Sequence, residues 1–123
     1  MNDQQIEKEI REKGLTAPRI TPQHIEDTIT YEMYFIAYDG FSASAKENPD
    51  AVYAPIEALE SAKTLTFCVL TLENGFTVTG ESACASPENF DAEIGRKIAR
   101  QNAVNKIWSL EGYLLKQKLY DAK

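Results

Sequence analysis

Between Ile29 and Tyr38 the chain alternates, with Ile29, Tyr31, Met33, Phe35 and Ala37 interleaved with Thr30, Glu32, Tyr34, Ile36 and Tyr38. A period of two sets the first group on one side of a β-strand, and that side is strongly apolar. Two further β-rich runs, Thr64 to Leu72 and Phe76 to Ala83, flank Asn74-Gly75. Asn-Gly suits the central positions of a tight hairpin turn, which need positive φ. A two-residue turn pairs residues whose numbers sum to 149, so Leu65, Phe67, Val69, Phe76, Val78 and Cys84 are expected on one face. Cys68, Leu70, Leu72, Thr77, Thr79 and Glu81 are then expected on the other.

The remaining segments read as helix or loop. Asp3 to Lys13 alternates acids and bases around Ile6 and Ile10, an i, i+4 pair on a short helix ending at Gly14. With so few apolar residues, this segment is expected to dock loosely, to fray, or to serve as an arm toward another subunit. Thr21-Pro22 reads as N-cap and first residue of a short helix through Asp27. Gly40 to Pro55 is rich in Ser, Ala, Asn, Asp and Pro and predicts a long loop. Ile56 to Ala62 adds a helical turn or two. Ser86-Pro87 signals the start of a helix running to about Tyr120, roughly 50 Å at about 1.5 Å per residue. Gly95 and Gly112 are its weak points, with a kink expected over Trp108 to Gly112. Phe90, Ile94 and Ile98 form one apolar stripe, and Ala103, Ile107, Leu110 and Leu114 form another. Two stripes need two surfaces: the hairpin for one and a second copy of the chain for the other.

The fold class that follows is α+β, a small antiparallel sheet of about three strands packed on a long, kinked C-terminal helix. The 123 residues suit a single domain, with residues 1–19 as a helical arm and 20–123 as the body, carrying a loop insertion at 40–55. Hydrophobic residues at 43% and charged residues at 26% set disorder aside. The apolar run Phe67 to Leu70, like every other in the chain, is far short of the ~20 residues that cross a bilayer. The absence of a signal-peptide core adds to an expectation of cytoplasmic location. Cys68 and Cys84, assigned to opposite faces, are read as buried free thiols.

The net charge of −6 is unevenly spread. Residues 1–62 hold twelve acids and five bases, whereas Arg96 to Lys118 hold six bases against Glu111 alone. An acidic chain repels the DNA backbone, whereas the local basic stripe either holds a small anion or is a solvated helix face. His24, the sole histidine, has no nucleophile in a recognisable motif beside it. No Cys-x-x-Cys and no glycine-rich phosphate loop is present, so neither a metal, a cofactor nor catalysis is expected. What stands out is the start of the long helix. Asn89, Arg96 and Arg100 fall on one stripe, and two arginines at i and i+4 stand about 6 Å apart at Cβ, suited to neighbouring phosphates. Phe90 beside them could stack on a purine or pack in the core.

The run Asn74-Gly75-Phe76-Thr77-Val78-Thr79-Gly80-Glu81-Ser82, followed by Asn89-Phe90-Asp91, Glu93-Ile94-Gly95, Ala99, Asn102-Ala103, Lys106-Ile107-Trp108 and Leu110 to Leu114, resembles the phage gene 49 / gene 66 family. The likeness covers roughly residues 64–119, with Ile20-Thr21-Pro22 and His24-Ile25 upstream. That family is similar to the Thoeris anti-defence proteins of the first type, phage sponges that sequester cyclic ADP-ribose isomers and, in some members, cyclic oligonucleotides. The resemblance implies a homo-oligomer, built from dimers into a hexamer, in the cytoplasm of the infected bacterial host. It implies ligand pockets between subunits, with Asn89, Phe90, Arg96, Arg100, Asn102 and Lys106 as pocket residues. The competing expectation is a phage interaction protein whose surface binds a host protein.

Overall fold

The computed structural model describes residues 2–48 and 53–123. In chain order the elements are α1 (Asp3–Glu12), α2 (Pro22–Thr28), β1 (Ile29–Ile36), α3 (Ala37–Glu47), α4 (Ile56–Ala62), β2 (Leu65–Leu72), β3 (Thr77–Ala83) and α5 (Ala92–Asp121). The strands form one antiparallel sheet in the order β1-β2-β3, and α5 lies across one of its faces. This is the α+β architecture expected. The Thr21 hydroxyl caps α2 by accepting from the His24 amide, with Pro22 as first residue. Gly14, at φ 66°, follows the end of α1.

The hairpin forms, but its register differs by one from the expected sum of 149. Leu65 pairs with Ala83, Cys68 with Gly80 and Thr71 with Thr77, so partners sum to 148. The cause is the turn, which uses three residues rather than two. The Gly75 amide donates to Leu72 O at 2.9 Å, Gly75 takes φ 89°, and Leu72 N donates to Phe76 O at 2.8 Å. A left-handed glycine after a type I turn is the three-residue solution, and Asn74 supports it by accepting from the Phe76 amide. One residue of slip changes which β3 side chains join each β2 face. Thr66, Cys68, Leu70 and Leu72 therefore point towards α5 together with Val78 and Gly80, and all six are buried. Cys68 and Cys84 share a face, contrary to expectation. Cys84, half-buried rather than buried, nonetheless lies four residues beyond the partner of Cys68, roughly 14 Å at about 3.4 Å per residue, and both thiols are free.

A bulge at Thr30 divides the alternation of β1. Ile29 pairs with Leu72, but Tyr31 already pairs with Thr71, and the register shifts between them. Ile29 thus turns towards the core, while Tyr31, Met33 and Phe35 point away from α5 and are exposed. The more apolar side of β1 faces outwards. Phe35 stacks there on Phe67, with ring centroids 5.3 Å apart.

Three helix assignments need correction. The segment from Gly40 to Glu47 is not loop but the body of α3, begun at Ala37; residues 49–52 of the expected loop lie outside the described residues. Ser86-Pro87 opens only a 3₁₀ turn, Pro87–Asn89, and Asp91 caps α5 by accepting from Ile94 N at 3.0 Å. No turn interrupts Trp108 to Gly112: α5 is one hydrogen-bonded helix of 30 residues passing through both glycines.

The core is small: Ile25, Cys68, Leu70, Leu72, Val78, Ala99, Ala103, Val104 and Ile107. Small residues dominate the buried side of α5 because the helix sits very close to the sheet. A Cβ at Gly80 would run into the Ala99 carbonyl and the Ala103 amide, and one at Gly95 would lie 2.8 Å from the Thr66 hydroxyl. Neither stripe read from the sequence is fully covered. Ala103 and Ile107 are buried, but Leu110 and Leu114 are exposed, as are Ile94 and Ile98 on the other stripe.

Candidate ligand-binding site

The helix α5 presents different flanks to the two edges of the sheet, and the six candidate residues divide between them. Arg96 and Arg100 lie on the β1 side. Asn102 lies on the β3 side, where its amide donates to the Glu81 carbonyl at 2.7 Å. Lys106 follows one turn later, exposed. Asn89 is exposed in the 3₁₀ turn, and Phe90 is half-buried, with its ring near Gly95. One chain therefore does not gather all six into a single pocket.

Arg100 is already occupied. Its guanidinium donates to Glu26 at 3.1 and 2.7 Å and to Glu32 at 3.0 and 3.2 Å. The Tyr34 hydroxyl donates to Glu32 at 2.6 Å. These contacts tie α2, β1 and α5 together through a partly buried network. The Arg100 hydrogen bonds hold the Glu32 carboxyl below its ordinary value. Burial, and then the bond to Glu32, push the Tyr34 phenol up, so it remains a proton donor. Burial raises the Cys68 thiol beside them, which keeps it protonated. The sequence signal for this network was the alternation itself, since Glu32 and Tyr34 occupy the less apolar side of β1.

Arg96, one turn earlier, makes no ion pair among the described residues. It lines a cavity of about 210 Å³ with Tyr34, Ile36, Asp39, Thr66 and Ala92. Ala92 is the first residue of α5, so the positive end of the helix dipole lies at this cavity. Thr66 forms part of its wall, is 2% exposed, and has a side-chain oxygen with no hydrogen-bond partner. A buried hydroxyl left unpaired is uncommon and costs stability. Nothing in the β-run of residues 64–72 marked Thr66 as special, because its position depends on the register set by the turn.

His24 is also placed by tertiary contacts: its Nε2 lies 3.0 Å from Glu111. Among the described residues, no three of His, Cys, Asp and Glu gather as a metal site, and no helix is long and apolar enough to cross a membrane. Comparison with curated proteins and with solved structures finds no match. A family match does extend over residues 20–119, taking in the sheet, the Arg96 cavity and nearly all of α5. On that match the chain belongs to the phage protein (N4 Gp49/phage Sf6 gene 66) family.

Proposed function

We propose that this phage protein binds a cyclic nucleotide immune signal, a cyclic ADP-ribose isomer or a cyclic oligonucleotide, and sequesters it without cleaving it. The observation that carries this reading is Arg96, an uncommitted guanidinium at the mouth of a cavity beside the start of α5. An arginine fork and a helix N-terminus both favour a phosphate. Asp39 and the Thr66 hydroxyl supply acceptors for sugar hydroxyls, and the Phe90 ring, held near Gly95, offers a face to a base. At about 210 Å³ the cavity is below the ~300 Å³ at which ligand pockets usually begin, so it accommodates one phosphate-sugar unit. A second copy of the chain, held by the exposed apolar residues of α5, completes the enclosure. Arg100 acts here as a brace that positions β1 and α5, not as a ligand contact.

Calorimetric titration with cyclic ADP-ribose isomers and cyclic dinucleotides tests this. One of them binds, and heating the complex releases it with its mass unchanged. Arg96→Ala weakens binding about ten- to a hundredfold, the loss expected for one charged hydrogen-bonding fork, and leaves the melting temperature within a degree or two. Failure of every cyclic nucleotide to bind, or equal affinity in the variant, removes the reading. A second reading, attachment to a host protein, is favoured by the outward apolar side of β1, where Tyr31 is 62% exposed. Tyr31→Ala with Met33→Ala would then abolish capture of that partner and leave nucleotide binding intact.

A further inference from the structure

The N-terminal helix lies outside residues 20–119 and yet is docked on the body. Its start is fixed locally, by a capping box in which Asn2 and Gln5 each accept the other's amide at 2.8 Å. Its attachment is narrow and polar. Glu7 is the buried residue of α1, and the Arg19 guanidinium holds both of its oxygens, Nη2 to Oε2 at 3.0 Å. Asp3 accepts from the Trp108 indole at 3.3 Å. The apolar contribution is slight. Ile6 is exposed, and a cavity of about 260 Å³ remains between Ile6, Ile10, Ile20, Pro22 and Trp108. A second cleft, of about 240 Å³, separates the first turn of α1 from Glu26, Arg100, Gln101 and Val104. Voids on both sides forfeit dispersion contacts, and a ten-residue helix has little stability of its own in water.

We infer that α1 is a strap that opens as a unit while the sheet and α5 remain folded, held shut by the Glu7–Arg19 latch and the Asp3–Trp108 hydrogen bond. Opening uncovers the groove of Ile20, Pro22 and Trp108 and the flank of α5 that carries Arg100. The latch is sensitive to acid. Facing Glu7 are Arg19 from the connecting segment and Arg11 from α1 itself, 3.4 Å away; α5 contributes Trp108 here, with Glu111 one turn on paired to His24. The Arg19 hydrogen bond lowers the folded Glu7 carboxyl beneath its ordinary 4.5, so the latch holds above that pH and is lost as pH falls through the folded value.

Trp108 is the only tryptophan, so its emission reports the strap in the intact chain. Amide exchange at pH 7 is expected to be at least about tenfold faster in α1 than in β2 and the middle of α5. Glu7→Gln increases α1 exchange by about a further tenfold and shifts Trp108 emission to the red, with β2 exchange unchanged. Asp3→Ala, which spares the latch, shifts the emission by itself and keeps the test open should the first variant fail to fold. On acidification the emission change precedes loss of the sheet. A common exchange rate for α1, β2 and α5, or emission that changes only with global unfolding in parent and Asp3→Ala alike, overturns the inference.

Discussion

Arg100 is met by carboxylates from two other elements: Glu26 from α2, 74 residues away in sequence, and Glu32 from β1, 68 residues away. Removing the guanidinium would leave two acids facing each other. Arg100→Ala should therefore lower stability by about 1–2 kcal/mol, a modest amount because Glu26 and Glu32 remain 47% and 36% exposed. Urea denaturation measures it, and Arg100→Lys should recover only part, since an ammonium cannot serve both carboxylates with a planar fork. The pH dependence has a definite sign. Glu32 is lowered from its ordinary 4.5, mainly by Arg100, so its contribution is present above that value and disappears as pH falls through the folded one. Melting temperatures recorded from pH 7 to pH 3 should fall less steeply for Arg100→Ala than for the parent. The shared stripe of Arg96 and Arg100 was legible from their i, i+4 spacing. Their different fates were not, because the carboxylates that separate them arrive through long-range contacts.

At the scale of elements, α5 approaches the middle of β3 very closely. Gly80 faces the Ala99 carbonyl and the Ala103 amide, and both are backbone, which cannot swing aside. Gly80→Ala should destabilise by about 3 kcal/mol, the order expected for overpacking a core. Gly112 gives the opposite case, being helical with nothing within 4 Å of where a Cβ would stand. Gly112→Ala should stabilise by up to about 1 kcal/mol through helix propensity. Thermal and urea melts of the two variants, compared with the parent, check both signs. The hairpin, α1, α2 and the long helix were readable because caps, turn residues and periodicity are local signals. The register was not, since Asn74-Gly75 serves two-residue and three-residue turns alike. Helix α3 was missed because the weak propensity of Gly40, Ser42 and Ser44 masks the strong propensity of Ala43 and Ala45, and its first residues follow directly from a strand.

For the molecule as a whole, length is the deciding quantity. A helix of 30 residues spans about 45 Å, whereas an eight-residue strand spans about 26 Å, so α5 overruns the sheet. Leu110, Tyr113 and Leu114 lie beyond Ile107 with exposed side chains, and Ile94 and Ile98 are exposed on the opposite side of the helix. The chain is expected to associate with itself through these residues, so light scattering should give a mass above the 13.8 kDa of one chain. Ile94→Lys combined with Ile98→Lys should shift the population towards monomer while the circular dichroism stays the same. A monomeric parent at micromolar concentration would remove the shared enclosure from the proposed site. The sequence by itself determined the α+β class, the Asn-Gly hairpin, the Thr21-Pro22 start of α2 and the basic character of the last helix, because each is written in residues a few positions apart. Only the tertiary structure decided which side of β1 faces water, which arginine remains free and where Thr66 is left without a partner. Those outcomes turn on a single-residue bulge, a three-residue turn and carboxylates brought from distant segments, where small local differences redirect entire faces.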